Sequence, residues 1–260
     1  MKAPTAQRQE VILKELKDEG FVSITLLAGR LGVSEMTVRR DLDRLAEAGH
    51  LERTHGGAAP LRPLSSQGID LVEPSLDSRY QAQAAEKNAI ARTAAGLVSA
   101  GQTIALDIGT TTGRLASELA NLPVSIYTTS IRIAALLASA RASVYVPGGV
   151  VAGIEPSIIG ARAVDHLRQL NFDIVFLGAS GLSGNGAFFD YSLEDTEIKR
   201  ALTDVSRKVV MLMDSSKFSR VSVARICDAH KVHTLITDRM PPEPIRGILQ
   251  DMGTEVLLAK

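Results

Sequence analysis

Apolar residues recur at helical spacing from the start of the chain. Val11, Ile12 and Leu16 share one face of a helix expected from about Thr5 to Asp18, with Gly20 as its C-cap. Ser23 is placed to cap a second helix whose inward residues are Leu26, Leu27 and Leu31. Gly32 and Val33 then make a turn, and Ser34 caps a third helix running from about Glu35 to Ala48 and ended by Gly49. Val38, Leu42 and Leu45 form its buried stripe. From His50 to Ala59 the period changes to alternation around Gly56-Gly57, which predicts a β-hairpin. A hairpin after such a helix pair is a wing, so residues 5–60 read as a small winged helix-turn-helix.

Residues 61–75, LRPLSSQGIDLVEPS, have no sustained period and read as a linker. Over 76–260, helical stretches alternate with short β-rich runs. Strands are predicted at Thr103–Asp107, Val124–Thr128, Ser143–Val146, Asp173–Leu177, Lys208–Met213, Thr234–Thr237 and Glu255–Leu258. Helices are predicted over 86–100, 112–120, 131–139, 157–169, 194–205 and 243–251. Repeated β-then-α units imply an α/β domain with a mainly parallel sheet and flanking helices.

Composition narrows the function classes. At 260 residues, 45% hydrophobic and 22% charged, the chain can bury a core without disulfides or metals. Net charge is zero, and the first 60 residues carry nine basic and nine acidic side chains, so charge balance gives no support for nucleic-acid binding. Cys227 is alone, which excludes an intramolecular disulfide and reads as packing in an apolar stretch. The five histidines form no ligand set, and neither a metal nor another cofactor is expected. The start of the chain lacks a signal-peptide pattern and no apolar run reaches membrane-span length, so a cytoplasmic location without membrane association is expected.

The case for DNA rests on where charge sits. Opposite the buried stripe of the third helix lie Met36, Arg40, Asp43 and Arg44, flanked by Thr37 and Arg39. Arginines on the exposed half of a helix after a tight turn are what a major-groove reader needs, because guanidinium pairs with guanine edges and with phosphate. Ser34 and the helix start supply donors for a phosphate. Asp41 and Asp43 either orient those arginines or are solvated. Arg53 and His55, beside the Gly56-Gly57 turn, are placed near the wing tip to touch phosphate or the minor groove.

The second zone offers loops suited to an anion. Asp107-Ile108-Gly109-Thr110-Thr111-Thr112 follows a strand and opens a helix, bringing backbone amides and hydroxyls together, with Asp107 able to accept from sugar hydroxyls. Thr128-Thr129-Ser130, Gly148-Gly149 and Gly178-Ala179-Ser180-Gly181 also follow strands, and a parallel sheet gathers such ends. Glu194, Glu197 and Lys199 on one helix, and Asp214 with Lys217 after a strand, supply charge.

The run Leu31-Gly32-Val33-Ser34, Thr37-Val38-Arg39-Arg40-Asp41-Leu42, Leu45 and Arg53-Thr54-His55-Gly56-Gly57-Ala58 closely resembles the DNA-binding module of the DeoR family of bacterial transcription regulators. The later half resembles that family's sensor domain through Glu86-Lys87, Asp107-x-Gly-Thr-Thr, Pro147-Gly148-Gly149, Glu197-x-Lys199-Arg200, Asp214-Ser215-Ser216-Lys217-Phe218 and Thr237-Asp238. The resemblance implies a sugar-phosphate-isomerase-like fold and a DNA-binding repressor of carbohydrate metabolism. It implies operator DNA and a phosphorylated sugar as partners and a regulator rather than an enzyme; two operator half-sites would need two DNA modules, so a homo-oligomer (dimer or tetramer) is expected. The family usually has Thr-Asn-Ser where this chain has Thr128-Thr129-Ser130. An isomerase-like enzyme with an appended DNA-binding module is the alternative, with Asp107, Glu197 and Lys217 as its acid/base groups.

Overall fold

Ile12, Leu27, Val38 and Leu42, each 1% exposed or less, form the centre of the amino-terminal core in a computed structural model of the chain. The structure describes residues 5–19, 22–47, 50–54, 56–60 and 69–260. They fall into two compact units, Met1–Ser66 and Gln67–Lys260.

In the first unit, α1 (Thr5–Glu19), α2 (Ile24–Leu31) and α3 (Glu35–Glu47) surround that core. A small antiparallel sheet of β1 (Val22–Ser23), β2 (Leu51–Thr54) and β3 (Gly57–Pro60), in the order β1-β3-β2, closes it. Gly32 ends α2 at φ +62, a left-handed turn that lets its N–H reach Ala28 O. Ser34 Oγ accepts from Thr37 N at 3.3 Å at the head of α3. Three expectations need correction. Val11 and Leu26 are exposed, because the inward stripes run through Ile12–Leu16 on α1 and Ile24–Leu27 on α2, and each lies one residue, about 100°, off its stripe. Ser23 stands at the N-cap of α2, but its side chain makes no capping bond. The positions of Gly20, Gly49 and His55 lie outside the described residues.

The second unit is built on seven parallel strands: β4 (Thr103–Leu106), β5 (Ser125–Thr128), β6 (Ser143–Tyr145), β9 (Phe172–Gly178), β12 (Ser206–Leu212), β14 (Thr234–Thr237) and β15 (Glu255–Leu258). Their order is β15-β14-β12-β9-β4-β5-β6. The central runs Ile104–Leu106, Val175–Leu177 and Val209–Leu212 are buried on both faces, which is why they read as continuous apolar segments rather than alternating ones. The helices are α4 (Leu76–Gln81), α5 (Ala84–Ala95), α6 (Thr110–Leu119), α7 (Ile131–Leu136), α8 (Ala161–Arg168), α9 (Leu193–Asp204) and α10 (Ile245–Asp251). One face of the sheet packs against Ile90, Leu115 and Ile133 of α5, α6 and α7. The other packs against Leu167, Ile198 and Leu249 of α8, α9 and α10.

Two accessory pieces were not legible as strands. A hairpin, β7 (Val150–Ala152) with β8 (Ser157–Ile159), occupies the start of the helix expected over 157–169. Gly160, at φ +95, then turns the chain into α8. β10 (Gly181–Leu182), β11 (Ala187–Asp190) and β13 (Ala224–Asp228) form a separate antiparallel sheet. Cys227 is buried in β13 and its thiol is pushed up to about 12 by burial, consistent with a packing role. Residues 69–75, expected as linker, are docked on this unit: Asp70 N donates to Val221 O at 2.7 Å, and Tyr191 Oη donates to Asp70 Oδ2 at 2.7 Å.

Candidate functional site

In the amino-terminal unit the buried stripe of α3 leaves Met36, Arg39, Arg40, Asp43 and Arg44 in solvent. Arg40 and Arg44 are one helical turn apart and so share a face. Arg39 reaches back to Glu35 at 3.6 Å, and Ser34 Oγ and Thr37 Oγ1 lie 2.9 Å apart at the helix start.

Asp41 takes neither of its two expected roles. It is 2% exposed and accepts two bonds from Arg8, from Nε at 2.7 Å and Nη2 at 3.1 Å. The pair ties α1 to the inner side of α3, and the exposed arginines are left to other partners. Arg53 also departs from expectation. Its Nε donates to Asp43 at 2.9 Å and its Nη1 to Gly57 O at 2.7 Å, so this guanidinium staples the hairpin to α3.

In the second unit the chain leaves β4 toward β5 and β6 on one side, and β9 leads toward β12, β14 and β15 on the other. β4 and β9 are neighbours, so the strand order reverses between them. Loops diverge there and leave a crevice beyond the strand carboxyl ends. The cleft found at that place is lined by Gly109–Thr112, Gly178–Ser180, Asp190–Ser192, Asp214 and Lys217, together with Glu73, Arg79, Lys87, Asp195 and Lys199. Its free volume is about 70 Å³, which at roughly 10–15 Å³ per water centre holds on the order of five waters.

One wall is the start of α6. Gly109 supplies no side-chain cap, so the leading amides of α6 face the cleft without one. Thr112 Oγ1 donates to Gly109 O at 3.0 Å, holding the turn. The floor is an ion pair. Lys199 and Asp107, each 1% exposed, are bonded to one another, and Lys199 Nζ also lies 3.1 Å from Asp190. Asp107 accepts Gly178 N at 3.0 Å, joining the ends of β4 and β9. Burial pushes Asp107 up to about 6 against the pull of Lys199. Burial alone would lower Lys199, but Asp107 and Asp190 hold it above its ordinary value, so the ammonium is retained.

The remaining cations differ. Lys87 Nζ donates to Arg79 O, and among the described residues neither Lys87 nor Lys217 forms an ion pair. Burial brings Lys87 down to about 8 and also lowers Lys217. Two ammonium groups without an ion pair, in a cleft that also holds the start of α6, are suited to an anion. Carboxylates of Glu73, Asp190 and Asp195 also line the cleft and can accept from hydroxyls.

The structure brings together Asp107, Gly109, Thr110, Thr111, Thr112, Gly178, Ala179, Lys199, Asp214 and Lys217 at or under this cleft. It places the others elsewhere. Thr128 Oγ1 accepts Ser130 N and Ser130 Oγ caps α7, so this buried loop serves its own helix. Thr129, where the family usually has Asn, is 2% exposed and outside the cleft lining. Gly149 packs against Ile158 and Ile159, where an added Cβ would lie 2.7 Å from Ile159 O. Gly148 is exposed, and Gly181 presses against Arg220 O. Glu197 is exposed because it lies two residues from both Asp195 and Lys199, on the opposite side of α9. Glu73, Arg79, Lys87, Asp190, Tyr191 and Asp195 are cleft residues that were not expected.

An exposed basic helix in a helix-turn-helix unit, followed by an α/β unit with a polar cleft at its strand reversal, defines a ligand-responsive transcription regulator. Residues 8–63 match the DeoR-like helix-turn-helix domain and residues 82–239 the DeoR C terminal sensor domain. The chain belongs to the DeoR family of transcription regulators. It is 33% identical over 94% of its length to the glycerol-3-phosphate regulon repressor of Escherichia coli (strain K12), covering 95% of that protein. The protein of the same name from Haemophilus influenzae is 32% identical, over 96% of each chain. The HTH-type transcriptional repressor CsqR of Escherichia coli (strain K12) is 30% identical over 96% of this chain and 94% of its own. No helix among the described residues is long and apolar enough to cross a membrane.

Proposed function

We propose that this chain represses a carbohydrate-metabolism operon and is released from its operator by a small phosphorylated polyol or sugar bound in the cleft. The observation that carries this reading is the pairing of open α6 amides with Lys87 and Lys217 in a cleft of about 70 Å³. That arrangement suits one phosphate and a short hydroxylated chain. Two similar repressors are named for a glycerol-3-phosphate regulon, which points to a three-carbon phosphate as the first ligand to try.

On the DNA side, residues 5–60 are the operator-binding module and 76–260 the sensing module. Arg40 and Arg44 are the groove contacts, with Ser34, Met36, Thr37, Arg39 and the Gly56-Gly57 turn at the edge of the interface. Half-site recognition calls for two such modules, so a homo-oligomer acting in the cytoplasm is part of the reading. Release requires the ligand to prefer the state that holds DNA poorly. The test is calorimetry of the full chain with glycerol 3-phosphate, triose phosphates, pentose phosphates and their unphosphorylated counterparts. Binding of at least one phosphate, and of none of the unphosphorylated compounds at the same concentration, supports the reading. Indifference to the phosphate contradicts it.

A further inference from the structure

Tyr145, Val146, Val150, Val151 and Ile154 are between 45 and 65% exposed, five large apolar side chains gathered within ten residues. They lie on β6, in the loop after it, on β7 and in the turn of the β7–β8 hairpin. Over 142–154, ASVYVPGGVVAGI, there is no Lys, Arg, Asp, Glu or His, in a chain that is 22% charged. Single exposed apolar residues are ordinary on a protein surface; a gathered group without charge marks an interaction site.

This surface is tied to the core beneath it. β8 is the inner strand of the hairpin: Ile158 N donates to Thr129 O at 2.8 Å, and the Ile158 side chain is buried. The turn before β8 is pinned by Glu155, whose Oε1 accepts Gly109 N at 3.1 Å. β7 is left outside. Neighbours along a strand point to opposite faces, so Val150 and Val151 present apolar side chains on both faces of β7.

β6 ends the strand order, so one of its edges is unpaired in the sheet. Its Tyr145 stacks on Tyr127 with ring centroids 4.7 Å apart, and Tyr127 meets the buried Phe172 edge-on at 5.3 Å. An aromatic row therefore runs from the core to the sheet edge and ends in solvent. Strand edges are commonly guarded by charge or covered by another segment. The strand at the other end, β15, opens on the exposed Glu255 and leads to Lys260. β6 and β7 carry no such charge.

We propose that β6 and the outer side of the β7–β8 hairpin form the contact with a second copy of this chain across a two-fold axis. Charge selects that partner. Near a two-fold axis a side chain meets its own copy, so any charge there would face a like charge, and an uncharged surface avoids this. A nucleic acid would call for cations, which the stretch lacks. The need for a second copy rests on the operator reading given above, which requires two DNA-binding modules. The place of contact rests on the exposed residues alone.

The experiment is sedimentation velocity of the full chain over a concentration series, for the wild type, Val151→Glu, Val151→Lys and Leu258→Lys. Either charge at 151 is expected to weaken self-association by about 100-fold or more, because like charges are brought together at the contact. The mass falls by one step, from dimer to monomer or from tetramer to dimer. Leu258→Lys, on β15, leaves the mass unchanged. Position 151 is exposed, so the melting temperature of the monomeric chain is not expected to fall; should the variants fold poorly, Ile154→Lys in the hairpin turn replaces them.

If the wild type associates and charge at 151 and 154 leaves that association intact, this inference is overturned and the operator reading survives. Loss of association in Leu258→Lys to the same degree also overturns it. If the wild type stays monomeric at every concentration, alone and on DNA from its own promoter region, the two-module reading fails and this inference with it.

Discussion

Lys199 on α9 and Asp107 at the end of β4 form an ion pair that is sealed on both sides, each side chain showing 1% of its surface. Asp190 at 3.1 Å gives Lys199 a second carboxylate, and Gly178 N gives Asp107 a second donor. The pair fixes the two strand ends between which the sheet order reverses, and so fixes the floor of the cleft. Removing Lys199 leaves the buried Asp107 without its cation, so that it stays charged at a cost or takes up a proton. Lys199→Met is expected to destabilise the second unit by about 3–5 kcal/mol, read from its urea midpoint. The double variant Lys199→Met/Asp107→Asn should recover much of that loss. Equal destabilisation by the single and double variants would show that the pair is not coupled.

Arg40 and Arg44 should act on DNA alone. Alanine at either position is expected to cost about 1–3 kcal/mol in operator binding if it reads a base, or to lower the salt slope by about one if it grips phosphate. Fluorescence anisotropy at several salt concentrations separates the two cases. Calorimetry with glycerol 3-phosphate should be unaffected by either substitution.

Asp41 behaves differently from its exposed neighbours on α3. Asp41→Ala removes the buried carboxylate that accepts from Arg8 Nε and Nη2 and is expected to lower the melting temperature of the amino-terminal unit, with loss of DNA binding following from that. Asp43→Ala, which frees Arg53 from the helix, should change thermal stability much less.

Gly181 follows a strand end and looked like a ligand contact. A Cβ there would collide with the backbone oxygen of Arg220. Gly181→Ala is therefore expected to cost about 1–3 kcal/mol of stability through overpacking, seen as a lower melting temperature of the second unit, with ligand affinity preserved in the folded fraction.

Lys87 offers a pH signature. Its value of about 8 lies below the ordinary 10.5 because burial disfavours the charged form. The folded chain therefore binds fewer protons than the unfolded chain between those values, and this group's effect on stability improves as pH rises from about 8 to 10.5. A bound anion favours the ammonium, so ligand binding near pH 8 should take up a fraction of a proton, and affinity should fall as pH rises through 8. Calorimetry in buffers of different ionisation enthalpy measures the uptake, which Lys87→Gln should diminish.

The alternation of strands and helices was legible because a buried parallel strand and an amphipathic helix each impose a period on apolar residues. The head of α6 was legible for a related reason: its glycine and threonines sit where a strand ends and a helix begins, although a plain capped turn would read the same. Lys199 left a signal too, since it shares the buried arc of α9 with Thr196 and Thr203. Arg79, Glu155 and Asp190 left none. Arg79 lies on the six-residue α4, Asp190 ends β11 and Glu155 lies in a turn, and what packs against such a charge is a segment far away in sequence, as Gly109 is for Glu155. The same limit explains the unexpected hairpins. Ser157-Ile158-Ile159 continues a helical apolar pattern until Gly160 breaks it, and its partner Val150–Ala152 becomes a strand only by pairing. Gly149 and Gly181 show the converse error, where a glycine that spares the chain a clash looks the same in sequence as one that admits a ligand.

The central claim is that the anion cleft governs the grip of α3 on DNA. The most direct measurement is anisotropy of the full chain on a labelled fragment of its own promoter region, titrated with glycerol 3-phosphate and with glycerol at constant ionic strength. The account predicts that the phosphate releases the DNA, that glycerol does not, and that Lys217→Gln binds the DNA but resists release. Release that proceeds equally in Lys217→Gln, or DNA binding untouched by a phosphate shown calorimetrically to occupy the wild type, would contradict it.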